Sequence, residues 1–458
     1  MVFDSVFSRF VEESPVSVMF RGTMENIFSA ERLDALFEET ALRQTSKRLL
    51  FSMCVDLMSL VVANIRPSVN AVHKRHKEQL GVSVQAVYDK LAGIEPQVSR
   101  RMVQATAEDL TKVMGSMKAC TASPLPGYEL RIVDGNHLAG TEHRLKELRT
   151  LGAAALPGQA LAILNPQTML IEDVLPCEDG HANERVLFPE LLPLVEPGQC
   201  WLADRNFCTI KVLFGIQSRK SHFIIRQHGQ LKGRLLGRRR KLGRTETGVV
   251  YEQQLEIADG EQTLVLRRIT VALNEPTRDG DVEIHLLTNL PAKISGQKIA
   301  DVYRDRWTLE TAFGHLAIVL RSEVNTLGYP DAALFGFCIG LMLYNVLSTI
   351  RAALEVAHKL DGKKRKVSMY YLADEIAGVY RGMMIAVPED HWTEQFGHVP
   401  PGQLARQLLQ LARAVRIQHY LNNPYGPKRP PPKRKSGKRE IHVSTQRILD
   451  KRTTTAQK

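Results

Sequence analysis

The pattern of apolar and polar positions changes its period along the chain. Residues 1 to about 125 alternate apolar and charged positions at helical spacing, as in RLDALFEETALR, and therefore predict helices. From about residue 128, apolar runs such as ELRIVDGNHL and QCWLADRNF predict short strands that end at Asp134 and Asp204. The predicted order of three strands, helix, strand, helix and strand indicates a mixed α/β fold class.

A second β-rich stretch follows residue 227. The runs GVVYEQQLEI, QTLVLRRITVAL and VEIHLLTNL predict strands, so residues 228–290 are interpreted as a β-rich insertion. The preceding run HGQLKGRLLGRRRKLGR has no acidic residue. A solvated loop is the plain alternative, but cations this close together more often meet phosphates, because each neutralised phosphate releases condensed counterions. The cations of the run are Lys232, Arg234, Arg238, Arg239, Arg240, Lys241 and Arg244.

The apolar segment AALFGFCIGLMLYNVLSTI, residues 332–350, just reaches the length of a membrane span. It contains Asn345 and Ser348, and the sequence has no second segment of this kind, so we expect a buried core helix and no membrane partner. The N-terminus lacks the apolar stretch of a secretory signal. The six cysteines form no C-x-x-C pair, which favours buried thiols and a cytoplasmic location.

Two further segments are predicted from weaker patterns or from composition alone. Residues 80–94, LGVSVQAVYDKLAGI, place Ser83 as a possible N-cap before a short helix and resemble the second half of a helix-turn-helix. An ordinary pair of helices is about as good an interpretation. The sequence NPYGPKRPPPKRKSGKRE near the C-terminus combines proline with like charge, so residues 421–458 are predicted to be a disordered basic tail.

The charge balance indicates the class of partner. The chain of 458 residues has 61 lysines and arginines against 49 aspartates and glutamates, a net charge of +12, and a pI of about 9.4. A positive surface of this kind attracts polyanions. Nucleic acid is therefore the leading candidate partner.

Three carboxylates occupy positions that suit metal chemistry. Asp134 and Asp204 end predicted strands, and Glu310 lies in YRDRWTLETAFGHL, residues 303–316, which predicts an amphipathic helix. Carboxylates at strand ends project beyond the sheet edge, where a carboxylate on a packed helix can reach them. Oxygen ligands of this kind suit Mg²⁺, and a pair of ions supports in-line phosphoryl transfer. Each acid alone is also explained as a turn former, a helix cap or an ion-pair partner.

The predicted helix around Glu310 places further residues on one face. Tyr303, Arg306 and Glu310 follow each other at spacings of three and four, which brings them together on a helix. A carboxylate that binds metal and an arginine that binds phosphate belong side by side when the same phosphate completes the metal site. Trp307 is one step round the helix, where we expect it to pack in the core, with base stacking as the alternative.

Four features of the chain resemble one family: the order of the acids, the LADRNF segment, the β-rich insertion and the Tyr303-x-x-Arg306-x-x-x-Glu310 spacing. The family is the DDE transposases of bacterial cut-and-paste insertion sequences, in their Tyr-Arg-Glu signature subgroup. The resemblance covers about residues 128–350. It implies a ribonuclease H-like catalytic domain in which the three acids bind divalent metal. It also implies that Tyr303 and Arg306 hold DNA phosphate. One position departs from the signature, because Ala317 replaces a lysine, and Arg321 is the nearest candidate substitute.

The resemblance implies an enzyme that cleaves DNA at the ends of the element and joins them to target DNA. It implies two Mg²⁺ ions, with Mn²⁺ as an alternative, double-stranded DNA partners with inverted repeats, and a homodimer in the DNA complex. The alternatives are a ribonuclease H-like nuclease without strand transfer and an inactivated transposase that only binds DNA. The expected DNA contacts are Tyr303, Arg306, Arg321, Lys232, Arg234, Arg238, Arg239, Arg240 and Lys241.

The same resemblance divides the chain into five regions. A helical DNA-binding region, residues 1–125, precedes the first part of the catalytic core, residues 126–227. The β-rich insertion, residues 228–290, separates it from the second part, residues 291–420, which includes a helical C-terminal region. The basic tail, residues 421–458, completes the chain.

Overall fold

The structure, a computed structural model, describes residues 5–44, 48–138, 154–277, 280–360, 366–422 and 442–456. As the sequence predicts, every regular element described before residue 125 is a helix. These helices are α1 (Ser5–Glu13), α2 (Pro15–Ile27), α3 (Ala30–Thr40), α4 (Phe51–Val62), α5 (Val69–Arg75), α6 (Lys77–Leu80), α7 (Val84–Leu91) and α8 (Pro96–Ser116). The Ser83 hydroxyl accepts a hydrogen bond from Ala86 N–H at 3.2 Å, so Ser83 caps α7 as predicted.

A mixed sheet follows the helical region. In chain order its strands are β1 (Glu129–His137), β3 (Gln159–Asn165), β4 (Leu170–Cys177), β5 (Gln199–Ala203), β6 (His222–Arg226), β7 (Arg234–Arg244), β8 (Gly248–Asp259), β9 (Gln262–Leu273) and β10 (Glu283–Thr288). A separate short strand, β2 (Ala154–Leu156), pairs with β11 (His442–Ser444).

The sheet has the ribonuclease H-like arrangement that the resemblance implies. Its strand order is β4-β3-β1-β5-β6-β10-β9-β8-β7. The β3 and β4 strands continue antiparallel from β1, whereas β5 and β6 run parallel to it. The predicted fold class is confirmed: an α/β fold with a mixed sheet, a β-rich segment and N-terminal helices.

The β-rich segment continues the sheet. Strand β10 pairs antiparallel with β6, and β9, β8 and β7 extend the sheet to its far edge. The predicted strands at 248–257, 262–273 and 282–290 are therefore present. The basic run is not the loop considered as its plain alternative, because Arg234–Arg244 form the edge strand β7. Exposed arginine and lysine along an edge strand also disfavour pairing with another sheet.

The remaining helices cover the sheet or complete the helical region. They are α9 (Phe188–Leu191), α10 (Ile210–Ser218), α11 (Gly296–Tyr303), α12 (Trp307–Ile318), α13 (Pro330–Ala357), α14 (Met369–Ala386), α15 (Glu389–Phe396), α16 (Pro401–Ala414) and α17 (Thr445–Ala456). Alternate residues of the strands face opposite sides. Ile132 packs in the core that contains α8 and α13, while Val133 packs in the core that contains α10.

Helix α13 is the predicted core helix. It is long and apolar enough to cross a membrane by length and composition, but its most apolar stretch is completely buried by the protein itself. The polar Asn345 lies at the centre of this apolar helix because its side chain pairs with the backbone of β4. Pairing of β3 with β4 shifts register between Ile163 and Leu164, which leaves Glu172 as a bulge. Asn345 Oδ1 accepts from Ile171 N–H at 2.8 Å, and its Nδ2 donates to Ile171 O at 2.9 Å.

The predictions of a disordered C-terminal tail and of buried thiols are each partly wrong. Of the predicted disordered tail, residues 423–441 lie outside the described residues, but residues 442–456 form β11 and α17. Arg447 Nε donates to Asp179 Oδ2 at 2.7 Å, a contact that the composition of the tail does not reveal. All six cysteines are free thiols, and four are buried, but Cys177 is half-buried and Cys120 is exposed.

Replacing Asn345 by alanine should destabilise the protein by about 2–4 kcal/mol, because both backbone groups of Ile171 lose their partner in the core. Urea unfolding followed by circular dichroism measures the change. The control is Ser99→Ala, since the Ser99 hydroxyl is buried without a hydrogen-bond partner in the described chain. A loss for Asn345→Ala no larger than that of the control would contradict the proposed pairing.

Candidate active site

The two aspartates lie on neighbouring parallel strands. Strands β1 and β5 pair with Ile132 opposite Leu202, so Asp134 and Asp204 each come two residues after a matched pair. Asp134 is not the last residue of its strand, as the sequence analysis expected, because β1 continues to His137 along its antiparallel partner β3. Asp204 directly follows β5. The topology therefore brings both carboxylates to one edge of the parallel strands.

The segment that carries Glu310 is not one continuous helix, contrary to the prediction. Helix α11 ends at Tyr303, a 3-10 turn spans Arg304–Arg306, and α12 begins at Trp307. Backbone angles stay in the right-handed helical region through the turn, with φ −54° and ψ −36° at Arg306. Arg306 therefore still lies beside Glu310, one helical turn further on.

Arg306 joins the first and third predicted carboxylates. Its Nη1 donates to Asp134 Oδ2 at 2.6 Å, and its Nη2 donates to Glu310 Oε1 at 2.6 Å. Arg306 is only 8% exposed. Charge-assisted hydrogen bonds in so dry a place are strong, and two carboxylates could not approach each other here without a cation between them.

The electrostatics of Asp134 reflect this crowding. Burial raises the pKa of Asp134 to about 7, the charge of Arg306 opposes the shift, and Asp204 and Glu310 add to it. The pKa of Arg306 is raised by the charges of its partners against the effect of its own burial. Asp204 and Glu310 are thus near enough to act on Asp134 through their charge.

Asp204 has a local structural role as well. Its Oδ1 accepts from Asn206 N–H at 2.7 Å and caps the 3-10 turn Arg205–Phe207, as the plain interpretation of a strand-end acid predicts. Its Oδ2 receives no such bond from Asn206. One carboxylate oxygen orients the side chain, and the other remains for a ligand.

Sequence analysis missed a fourth carboxylate, Glu184. Its Oε2 accepts from Asn206 Nδ2 at 3.1 Å, and its Oε1 lies over Gly135, where a Cβ would come within 2.2 Å of it. Burial raises the pKa of Glu184, and the charge of Asp204 raises it further. Glu184 therefore contacts both segments that carry the aspartates. Gly135, which follows Asp134, was the available signal, because a side chain there would displace Glu184.

The candidate ligands have the chemistry that a divalent cation needs, but they are not arranged to hold one. Asp134 and Glu310 already converge on one cation, the guanidinium of Arg306, and all candidate ligands are oxygens, as Mg²⁺ prefers. Within the part of the chain that the structure describes, no three histidine, cysteine, aspartate or glutamate side chains form a group able to hold a metal ion.

Tyr303 and Trp307 differ in exposure, and the prediction that Trp307 packs in the core is wrong. Trp307 is 61% exposed instead of packed in the core, and the Arg306 Cζ atom is 5.7 Å from its ring centroid. Tyr303 is 7% exposed, and burial raises its pKa to about 12. The Tyr303 hydroxyl and the Arg306 Nε are buried, and neither has a hydrogen-bond partner among the described residues.

The basic edge strand is only partly available to an anion. Although the run itself has no acidic residue, three of its arginines form ion pairs with carboxylates of other strands: Arg234 with Glu256, Arg239 with Glu283 and Arg240 with Glu252. Arg244 donates to Asn274 at 3.0 Å. Lys232, Arg238 and Lys241 are exposed and form no ion pair or side-chain hydrogen bond within the described ranges.

The residues near the departure from the signature also lie on the surface. Ala317 is exposed near the end of α12, and Arg321 is exposed just beyond that helix. Arg321 N–H donates to Val62 O at 2.8 Å, which connects this segment to the end of α4. Arg321 thus lies where the catalytic half meets the N-terminal helices.

Residues 125–346, which include all three predicted acids, match the family described as Transposase DDE domain. No curated protein matches the chain significantly in sequence. A solved structure similar to this chain is the cryo-EM structure of the piggyBac transposase synaptic complex with hairpin DNA. The two are 12% identical, with a TM-score of 0.41, over 85% of this chain and 86% of that one. The matched segment is 222 of the 458 residues and carries Asp134, Asp204 and Glu310.

The pKa of Asp134 predicts a pH-dependent stability difference in metal-free protein. An unfolded aspartate titrates near pH 4, whereas the folded Asp134 titrates at about 7. The folded state holds the proton more tightly between these values, so this stabilising contribution is lost as the pH rises through that window. Relative to wild type, Asp134→Asn should gain about 2–3 kcal/mol of unfolding free energy between pH 5 and pH 8.

Denaturant unfolding in EDTA at both pH values measures this gain. Glu394→Gln, at an exposed carboxyl on α15, is the control and should show no trend. If the difference between wild type and Asp134→Asn stays constant with pH, Asp134 has no raised pKa.

Proposed function

We propose that the protein is the transposase of a bacterial insertion sequence, which cleaves DNA at the element ends and transfers the strands into target DNA. The observation that carries the proposal is the Arg306 bridge between Asp134 and Glu310, beside the strand that ends at Asp204. A largely buried carboxylate such as Asp134, placed near other carboxylates, is costly and is expected where acids serve a reaction. The family match of residues 125–346 supports the reaction class.

Asp134, Asp204 and Glu310 would hold the divalent metal, with Mg²⁺ or Mn²⁺ as the proposed ion and two ions as the proposed number. When bound, such ions activate the attacking oxygen and stabilise the leaving oxygen of a phosphoryl transfer. Asn206 N–H orients Asp204, and the Asn206 side chain donates to Glu184. Release of the two carboxylates by Arg306 would complete the ligand set.

Arg306 and Tyr303 would then contact the phosphate of the DNA. The Arg306 Nε and the Tyr303 hydroxyl are buried donors without partners in the described chain, so a phosphate reaches them once the guanidinium leaves the carboxylates. Arginine suits this exchange, since it binds carboxylate and phosphate with the same planar fork. Trp307 is exposed beside Arg306 and would stack on a base near the cleaved bond.

The partners, the oligomeric state and the location of the protein are part of the same proposal. The partners are double-stranded DNA with inverted repeats and target DNA, bound by a homodimer in the cytoplasm. The exposed and unpaired Lys232, Arg238 and Lys241 of the basic run and Arg321 beyond α12 supply positive charge for the DNA backbone. Arg234, Arg239 and Arg240 would contribute less, because carboxylates already neutralise them.

Asp134→Asn should abolish cleavage of an end-containing DNA in Mg²⁺ without weakening DNA binding, because it removes a metal ligand and one of the two carboxylates that hold Arg306 away from phosphate. Cleavage on denaturing gels and fluorescence anisotropy measure the two effects. Mg²⁺ should also raise the thermal midpoint of wild type but not of Asp134→Asn. A variant that still cuts would overturn the role of Asp134.

The same assay separates the alternatives. A joined product in a plasmid assay excludes a nuclease without strand transfer. Binding without any cleavage in Mg²⁺ or Mn²⁺ would identify an inactivated transposase.

Arg238→Gln should weaken DNA binding severalfold and reduce the slope of log affinity against log salt by about 1, because one phosphate contact is lost. Arg234→Gln is the matched control on the same strand, and it should have a smaller effect because Glu256 already neutralises Arg234. Anisotropy titrations from low to moderate salt measure both slopes. Equal effects of the two variants would show that an arginine on β7 does not need to be free of an ion pair to contact DNA.

A further inference from the structure

A cavity of about 380 Å³ lies between α2, α4 and α14, away from the carboxylates. Apolar side chains form much of its wall, including Phe20, Met24, Leu60 and Met384. Its size is within the range of small-molecule pockets. The Phe20 ring contacts the ring of the half-buried Tyr380 edge to face, with 6.1 Å between the ring centroids, so the wall presents aromatic surface.

Three arginines gather at this cavity, one from each of three segments. Arg66 follows α4, Arg75 ends α5, and Arg381 lies on α14. None of them forms an ion pair or a side-chain hydrogen bond within the described residues. Desolvation lowers the pKa of Arg66, and the charges of Arg381 and Arg75 lower it further. Three guanidinium groups that repel one another without a counterion have the charge and donors of an anion site.

The acidic residues of the cavity do not neutralise these arginines. Glu25 pairs with Arg21 at 2.5 Å. Asp56 and Glu389 also line the cavity, but within the described residues none of the three carboxylates forms an ion pair with Arg66, Arg75 or Arg381. The cavity is therefore polarised, with carboxylates around Arg21 and unpaired guanidinium groups around Arg66.

The turn that carries Arg66 is connected to the candidate active site. Arg66 N–H donates to Leu60 O at 2.9 Å, which fixes the turn at the end of α4. Arg321 N–H donates to Val62 O in the same turn, and Arg321 follows α12, which carries Glu310. A DNA strand that leaves the catalytic edge past Arg321 would come next to the arginine cluster.

We propose that Arg66, Arg75 and Arg381, together with the apolar cavity behind them, bind a nucleotide, with its phosphate on the arginines and its base against the aromatic wall. The nucleotide belongs to the DNA strand on which the protein acts, and in this respect the inference rests on the proposed function. A phosphate joined to an aromatic ring matches both parts of the cavity. A free mononucleotide has the same chemistry and is distinguished by experiment.

Calorimetry with dAMP and with inorganic phosphate, and anisotropy with fluorescent single-stranded and duplex DNA, test the assignment on the full chain. Wild type should bind dAMP at least about tenfold more tightly than inorganic phosphate, since only dAMP fills the apolar part. Arg66→Gln and Arg381→Gln should each weaken DNA binding about tenfold and lower its salt slope by about 1. Arg413→Gln, at an exposed arginine of α16, is the charge-matched control and should change affinity less than about twofold.

Each outcome decides the assignment. Loss of both DNA and dAMP affinity supports the site, whereas loss of DNA affinity with unchanged dAMP affinity shows that the arginines contact only the DNA backbone and overturns the nucleotide in the cavity. The site does not exist if the Arg66→Gln, Arg381→Gln double variant binds both ligands like wild type, and equal binding of dAMP and inorganic phosphate overturns the nucleotide. Asp134→Asn separates this result from the proposed function, because it should lose cleavage and keep dAMP binding.

Discussion

The arrangement of this protein depends on one buried guanidinium between two carboxylates. Asp134 comes from the sheet and Glu310 from a helix far along the chain, and without Arg306 their charges would oppose the packing of α12 on β1. An ion pair of this kind adds little net stability but makes the removal of either partner costly. Arg306 thus fixes where α12 sits and engages two of the three carboxylates proposed as metal ligands.

The fold supplies a second constraint, the burial of α13 against the sheet. A helix this apolar fits only where its whole circumference is covered, and the N-terminal helices, β4 and α16 provide that cover. Asn345 satisfies the backbone of the bulge in β4, so its position fixes the alignment of helix and strand. β4, β3 and β1 are consecutive neighbours in the sheet. The alignment of α13 with β4 therefore also fixes the position of β1, the strand that carries Asp134.

Local sequence predicted the features that depend on spacing. The α/β class, the buried helix and the pairing of Arg306 with Glu310 follow from periodicity and from neighbours four residues apart. Features that depend on distant partners were missed. The carboxylates that neutralise β7 come from other strands, and Glu184 reaches the site across Gly135. Periodicity also could not place Trp307, because a 3-10 turn shifts which side of the segment faces the core.

Arg306 couples the two ligands that the proposed reaction requires. While it holds Asp134 and Glu310, it weakens the metal site and has no free donor fork for DNA. Metal on the carboxylates would release the guanidinium, and a phosphate beside it would offer a replacement partner. Each ligand therefore lowers the cost of binding the other, which is positive coupling by competition for one side chain. Such coupling would keep the acids inactive until both DNA and metal are present, with no separate lid or gate.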